Sequence, residues 1–396
     1  MIPAYSFGYT PPQVEIVERK GRGHPPTVKP NSLRWPRPSI PRFGRFVMPP
    51  PTHAIDPGPL GVSPSMGRVT THSGSLLLDE LAWRGLIHDS TDPGELRTHL
   101  DSERRRFYIG FDPSAPSLTI GNLLPMTLII RGALAGLEPV VLFGGGTGLI
   151  GDPSGKSVER SLLTVEEAKA NVVRHQGLMA PIFERALGSE RMPEFVDNAE
   201  WLLSLSALDW LLDVGKHFPT NHMIRRESVR RRLEDPEAGI TYTEFSYALL
   251  QGYDFMRLFA DRNVTLQMGA SDQWGNITAG IDYIRRTLRA EAHGVTCPLL
   301  LRSDGTKFGK TEKDAIWISA DRTSPAELYS FLLNLADADA RRFALFFSLE
   351  PRETLEKLFT EHMTDPSWRA LQRHIAREMT TLLHGREAFE SVETAA

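Results

Sequence analysis

Three short stretches hold residue types that could do chemistry. "FYIGFDPSAPSLTIGN" (107–122) runs from an apolar strand pattern through a polar turn into a helix start. A helix that opens after a strand offers backbone N–H groups to an anion. "GGGTGLIGDPSGKS" (144–157) is glycine-rich, and Gly146, Gly148 and Gly151 formally satisfy a dinucleotide spacing. Asp152 and Pro153 follow at once, however, and a carboxylate there repels a pyrophosphate. The segment also misses a phosphate-binding P-loop by one position, because Ile150 stands where glycine is required. A carboxylate held by glycines suits a cationic amine, so Asp152 reads as an anchor for an amino-acid ammonium through a charge-assisted hydrogen bond. A plain strand-to-helix turn is the alternative. "DGTKFGKT" (304–311) sets Lys307 and Lys310 three apart in a Gly-containing loop, where two ammonium groups can neutralise a departing pyrophosphate. Taken alone, that segment is more simply an ordinary solvated turn.

Alternating elements must position these stretches. Strand patterns "RRFYIGFD", "EPVVLFGG", "EFVDN", "TLQMG" and "CPLLL" are separated by helical periodicity such as "SLLLDELAWRGL" and "LLPMTLIIRGALAGL". That alternation predicts a doubly wound parallel α/β sheet with its ligand site at the strands' C-terminal ends. After residue 321 the strand patterns stop. "SPAELYSFLLNL", "ETLEKLFTEHM" and "WRALQRHIAREMTTLLHGREAFESV" read as amphipathic helices, with Ser324 as an N-cap and Pro325 at the first helical position. The expected organisation is a catalytic unit over 71–321 and a small all-α unit over 322–396. Residues 1–70 hold 15 of the 29 prolines and nine Lys/Arg against three Asp/Glu, which predicts a disordered basic extension.

Composition excludes several classes. A formal net charge of -4 gives no whole-chain bias toward nucleic acid, so any such contact must come from local basic patches. The single cysteine, Cys297, excludes an internal disulfide and any cysteine cluster for zinc, which fits a reducing cytoplasm. No apolar run approaches the roughly 18 residues that span a bilayer, and no apolar signal-peptide region opens the chain.

Strand, "DPSAPSLTIGN" into a helix, then "TKFGKT" some 190 residues later is the order of the two signatures of class I aminoacyl-tRNA synthetases. "GLIGDPSGKS", "DVGKHF", "TYTEFSYALLQGYDF", "LQMGASDQWGNITAG" and "DGTKFGKTEKDAIW" resemble bacterial-type tyrosyl-tRNA synthetases, and the resemblance runs from about 76 to 390. It implies the class I Rossmann-like fold, with the helical segment on the anticodon side. Tyr108 and Asp254 would then hydrogen-bond a phenol, and Asp152, Tyr247 and Gln251 the ammonium of L-tyrosine. Gln273 would lie near the substrate carboxyl, and Asp272 on the ATP ribose. The resemblance also assigns Gly110, Asp112, Gly121 and Asn122 to ATP. Ser114, Thr119, Lys156, Arg160, Lys307 and Lys310 would meet its phosphates, with Mg2+ as counterion and no dedicated protein metal site. Independently, an aspartate inside the apolar helix "ALLQGYDFMRLF" needs a partner, because burying an unpaired carboxylate is costly; a substrate hydroxyl supplies one. The helix start near Asn122 is expected to direct N–H groups at the nucleotide, and the basic run "RRESVRRR" (225–232) is a candidate contact for a tRNA acceptor arm. A homodimer is implied by the family alone. A dozen residues, "VEIVERKGRGHP" (14–25), resemble the opening of archaeal-type methionine adenosyltransferases, but without the rest of that enzyme they carry no function.

Three departures from the family pattern stand out. Its first signature usually begins and ends with histidine, where this chain has Thr119 and Asn122. Ala270 replaces a glycine beside the ribose, and the chain ends where the family continues into an S4-like RNA-binding domain. The expected function is tyrosine-tRNA ligase. A tRNA-independent tyrosine-adenylating paralogue, or a catalytically weak RNA-binding relative, are the alternatives those departures suggest.

Overall fold

The computed structural model describes residues 74–102, 105–153, 163–234, 239–303, 305–306 and 315–395. The basic extension 1–70, Lys156, Arg160, Lys307 and Lys310 lie outside the described residues. Six strands form one sheet: β1 (Asp89–Ser90), β2 (Arg106–Phe111), β3 (Glu138–Phe143), β4 (Glu194–Asp197), β5 (Val264–Ala270) and β6 (His293–Cys297). Their spatial order is β1-β6-β5-β2-β3-β4, and every pair is parallel except the edge pair β1–β6. The chain runs outward from β2 through β3 to β4, then returns to the other flank of β2 as β5. Strand order therefore reverses at β2, and open α/β sheets bind ligands beyond the strand ends at such a reversal.

Period-two burial explains the central strands. Phe107, Ile109 and Phe111 enter the core on one face of the sheet, while Tyr108 enters the core on the other. Val141 and Phe143 against Val140 and Leu142 repeat the alternation on β3. Both faces are apolar because both are covered by helices, as a parallel sheet requires.

Two expectations need correction. "CPLLL" is not a strand: β6 ends at Cys297, because Pro298 has no N–H to continue a ladder. The strand lies just before it, in a "HGVTC" stretch whose glycine weakened the pattern. The last helical run is not one helix either. Gly385, at φ 91, ends Ala370–His384, and Arg386–Ala395 starts anew. Ser324 does cap Pro325–Leu333, accepting from the Glu327 N–H at 3.3 Å. A helix at Asp337–Phe347 had not been singled out in the sequence.

The C-terminal helices share a core with the sheet: Leu332, Phe343, Phe347, Leu371 and Met379 belong to the cluster that holds Phe107 and Ile129. Two buried arginines fasten that junction. Arg84, just past the helix Gly74–Trp83, donates to the carbonyls of Leu345 (3.0 Å), Ser348 (2.9 Å) and Glu350 (2.6 Å). Arg131, in the helix Ile120–Leu134, donates to Phe346 (3.1 Å) and Ser348 (2.7 Å). The acceptors are carbonyls at and beyond the C-terminus of Asp337–Phe347, which have no partner inside the helix and sit at its negative dipole end. Burial, with Arg84 alongside, pushes Arg131 down to about 9. Arg84→Met should therefore cost about 3 kcal/mol or more in chemical denaturation, since it takes the donor from the Leu345 and Glu350 carbonyls and the partner from Glu80. Arg97→Met, which breaks the exposed pair with Asp79 and a surface bond to the Ser75 carbonyl, should cost far less; equal losses would refute the capping role.

Candidate active site

Beyond the C-terminal ends of β2 and β5 lies a cavity of about 390 Å3. From β2 and the turn that follows come Tyr108, Gly110, Asp112 and Ser114, and from the start of the helix Ile120–Leu134 come Thr119, Gly121 and Asn122. The helix Tyr242–Arg262 contributes Tyr247, Gln251 and Asp254, the end of β5 leads to Asp272 and Gln273, and Asp152 closes one side. Every described residue singled out in the sequence for substrate or ATP thus lines one cavity.

The turn after β2 is pinned from outside. Asn171 Nδ2 donates to the Pro113 carbonyl at 3.0 Å, and His175 Nε2 contacts the Ala115 carbonyl at 2.9 Å, both from the helix Val165–Leu187. Within the cavity a closed polar circuit joins four elements. Asn198 Nδ2, just past β4, donates to Asp254 Oδ2 (2.8 Å) and to Thr147 Oγ1 (3.0 Å). Thr147 Oγ1 donates to Asp112 Oδ1 (2.8 Å), and Tyr247 Oη donates to Asp112 Oδ2 (2.8 Å). Tyr247 and Asp254 lie seven residues apart on one helix face, which closes the ring. The glycine-rich loop serves the same circuit. Gly145 N–H donates to Asp197 Oδ1 (3.0 Å) and Gly146 N–H to Asn198 Oδ1 (2.7 Å). A Cβ at Gly145 would lie 2.3 Å from Asp197, so only glycine permits that approach.

Asp254 departs from the sequence expectation. Its carboxylate is not waiting for a substrate hydroxyl, since Asn198 holds one oxygen and Trp201 Nε1 donates to the other at 2.7 Å. Burial nevertheless pushes its pKa up to about 8, against the opposing effect of those two bonds. The unpartnered atom is the Tyr108 hydroxyl, which is 1% exposed as a residue and has no hydrogen-bond partner. Burial and the nearby Asp254 raise its pKa. Gln267, paired in register with Tyr108 on β5, leaves Oε1 equally unpartnered at the cavity wall. On the opposite side, Gln273 Nε2 donates to Asp152 (2.6 Å), while Asn276 Nδ2 donates to Gln251 Oε1 (3.0 Å). Ala270 lines the cavity with extended backbone, φ -81 and ψ 163, so its methyl imposes no backbone strain.

Two further expectations are corrected. The helix begins at Ile120, and two of its first three N–H groups are spent inside the protein: Ile120 N–H on the Ile316 carbonyl (2.8 Å) and Asn122 N–H on the Thr119 carbonyl (2.9 Å). The basic run 225–232 is not a uniform face, because Arg232 is 6% exposed and pairs with Glu244 at 3.0 Å. Asn198, Trp201, Thr147 and Gln267 went unnoticed in the sequence. Only Asn198 carried a signal, a polar residue at the C-terminal end of a strand pattern. Among the described residues no group of three or more His, Cys, Asp and Glu could hold a metal ion, and no helix is long and apolar enough to cross a membrane.

The raised Asp254 has a consequence for stability. Folding of the ligand-free protein favours the protonated carboxyl between 3.8 and about 8, so this group's contribution falls as pH rises through that window. Melting temperatures of Asp254→Asn measured across the window should lack that downward slope; parallel pH profiles for variant and wild type would refute the assignment.

Residues 100–396 match the model of a family described as tRNA synthetases class I (W and Y). The chain is 47% identical over 319 residues to a tyrosine--tRNA ligase of Roseiflexus castenholzii, covering 81% of this chain and 74% of that one. It is 45% identical over 318 residues to tyrosine--tRNA ligase 1 of Bacillus subtilis, covering 79% and 74%. Among solved structures, a C-terminally truncated mitochondrial tyrosyl-tRNA synthetase of Aspergillus nidulans superposes with a TM-score of 0.72 at 28% identity, over 84% of this chain and 94% of that one. A tyrosyl-tRNA synthetase of Archaeoglobus fulgidus shares the fold, with a TM-score of 0.59 at 18% identity over 80% and 99%. With its cavity at the sheet's reversal point and a family match over three-quarters of its length, the chain belongs to the class I tRNA synthetases of the W and Y family.

Proposed function

We propose that the protein is a tyrosine-tRNA ligase, which activates L-tyrosine with ATP to tyrosyl-adenylate and pyrophosphate and transfers the tyrosyl group to tRNA(Tyr). The observation that carries this reading is the buried, unpartnered Tyr108 hydroxyl beside the buried Asp254 carboxyl. A substrate phenol accepts from Tyr108 and adds a donor to Asp254, whereas phenylalanine leaves the Tyr108 hydroxyl without a partner. Asp152, Tyr247 and Gln251 take the ammonium, and Gln273 faces the carboxylate. ATP occupies the side built by Gly110, Asp112, Gly121, Asn122 and Asp272. Ser114, Lys156, Arg160, Lys307 and Lys310 meet its phosphates, and Mg2+ enters with ATP as counterion.

Adenylation needs no protein nucleophile. The tyrosine carboxylate attacks the α-phosphorus of ATP, the bond to the bridging oxygen breaks, and pyrophosphate leaves with the electron pair. The protein's share is to hold the two reactants in line and to stabilise charge growing on the phosphates. In the second step a ribose hydroxyl of the tRNA 3' end attacks the acyl carbon and AMP leaves. Arg225 and Arg230, exposed on the basic run, are the candidate acceptor-arm contacts. The division into a catalytic unit over 71–321 and a helical anticodon-side unit over 322–396 belongs to the same reading, as do a homodimer and a cytoplasmic location. The exposed apolar Leu208, Leu211 and Leu212, close together in one short stretch, support self-association.

Tyrosine-dependent ATP–pyrophosphate exchange and charging of tRNA(Tyr) test the proposal directly. Exchange without charging would leave a tRNA-independent adenylating enzyme, and tyrosine or RNA binding without exchange a non-enzymatic relative. Tyr108→Phe should leave thermal stability unchanged or raised, because it removes a buried hydroxyl without a partner. It should lower the preference for tyrosine over phenylalanine in exchange by about tenfold or more. An unaltered preference would reject the phenol site.

A further inference from the structure

We infer that Thr119 is a positioning residue, which holds the Asn122 side chain in the one orientation that presents its Nδ2 hydrogens to ATP. The inference rests on the adenylating function proposed above. Thr119 is the N-cap of the helix Ile120–Leu134, with extended backbone at φ -98 and ψ 171. Its backbone N–H lies 2.9 Å from Asn122 Oδ1, and its hydroxyl donates to the same oxygen at 3.1 Å. A backbone N–H can only donate, so the amide atom that faces it must be the oxygen. The amide therefore has one orientation, and Nδ2 is left on the side away from the cap. No acceptor among the described residues takes its hydrogens, and Asn122 lines the cavity half-buried.

The donor that sets this orientation is itself immobilised. Thr119 forms an antiparallel bridge with Trp317, flanked by bonds from Ile120 N–H to the Ile316 carbonyl and from Ile318 N–H to the Leu118 carbonyl, both 2.8 Å. The Thr119 N–H thus keeps its direction, and the hydroxyl adds a second bond to the same oxygen. A flipped amide would place an NH2 group against an N–H that cannot accept, and would lose both bonds. What the cavity receives is a neutral pair of hydrogens fixed in space, suited to the ribose or phosphate oxygens of ATP. The Thr119 hydroxyl is spent on Asn122, so its effect on ATP passes through that residue.

The test is ATP–pyrophosphate exchange by the full chain, with separate KM values for ATP and tyrosine and a melting temperature for each variant. Asn122→Asp keeps both cap bonds but turns an acceptor toward ATP. It should lower kcat/KM for ATP at least about tenfold, with melting temperature and tyrosine KM unchanged. Thr119→Val should lower kcat/KM for ATP about three- to tenfold in the wild-type background, and should have no further effect in Asn122→Ala. The same loss from Thr119→Val in both backgrounds, or wild-type ATP kinetics in Asn122→Asp, would overturn the assignment. Absence of exchange by the wild-type chain would instead remove the adenylation reading, and this assignment with it.

Discussion

A carboxylate inside an apolar helix is tolerable only if donors are brought to it, and Asp254 sets that requirement for the whole cavity. Meeting it takes Asn198 from the end of β4 and Trp201 one turn beyond. Asn198, wholly buried, then uses its remaining groups on Thr147 and on the N–H of Gly146. Thr147 in turn orients Asp112, which receives the Tyr247 hydroxyl from the same helix that bears Asp254. The polar wall is therefore a consequence of one desolvated carboxyl. Within it the Tyr108 hydroxyl is left over, and the substrate phenol follows from that remainder.

The sheet makes this economical. Because β5 returns beside β2 after β4 has been laid down on the far side, the ends of β2, β4 and β5 all open toward one space. Residues more than a hundred positions apart in sequence meet there, as Asp112 and Tyr247 do. The same logic fixes the nucleotide side. Leu118 to Ile120 is bridged to Ile316 to Ile318, so the chain just after the second signature is hydrogen-bonded to the helix start of the first. Arg84 and Arg131 add a second fastening, tying the helix Asp337–Phe347 to the helices that pack on the sheet. Those bonds sit in the low-dielectric interior, where an unmet carbonyl is expensive.

Legibility in the sequence followed periodicity and chemistry. β2, β3, β4 and β5 were readable because each carries a short apolar stretch between turn residues, and the cap at Ser324 because its residues do one local job. β6 was misplaced because its glycine and histidine break the pattern, and Pro298 ends the strand where an apolar run suggested it began. The cavity residues were readable through family motifs, but their partners were not. Trp201 donates to a residue 53 positions away, and nothing near it in sequence announces that bond. Gln267 hides inside a strand pattern, where one polar residue reads as noise. Long-range hydrogen bonds leave no local trace, so the sequence could say that Asp254 needs a partner but not that the protein supplies two.

Thr119 is the case in which sequence and structure disagree most usefully. As letters, "TIGN" differs from the family's histidines at two separate positions; Asn122 reads as an ordinary donor replacement and Thr119 as a shortened reach toward the phosphates. As structure, the two residues make one object, a cap whose donors and acceptor match each other at 2.9 and 3.1 Å. A histidine at 119 would keep the backbone N–H but lack the short hydroxyl, so the Asn122 amide would lose one of its two fixing bonds. The replacements make physical sense only as a pair: a short hydroxyl residue gives up direct reach toward the phosphates, and in exchange its neighbour three positions on gains a defined direction. Departures judged one residue at a time overstate the damage when the residues lie a helical turn apart and one side chain orients the other.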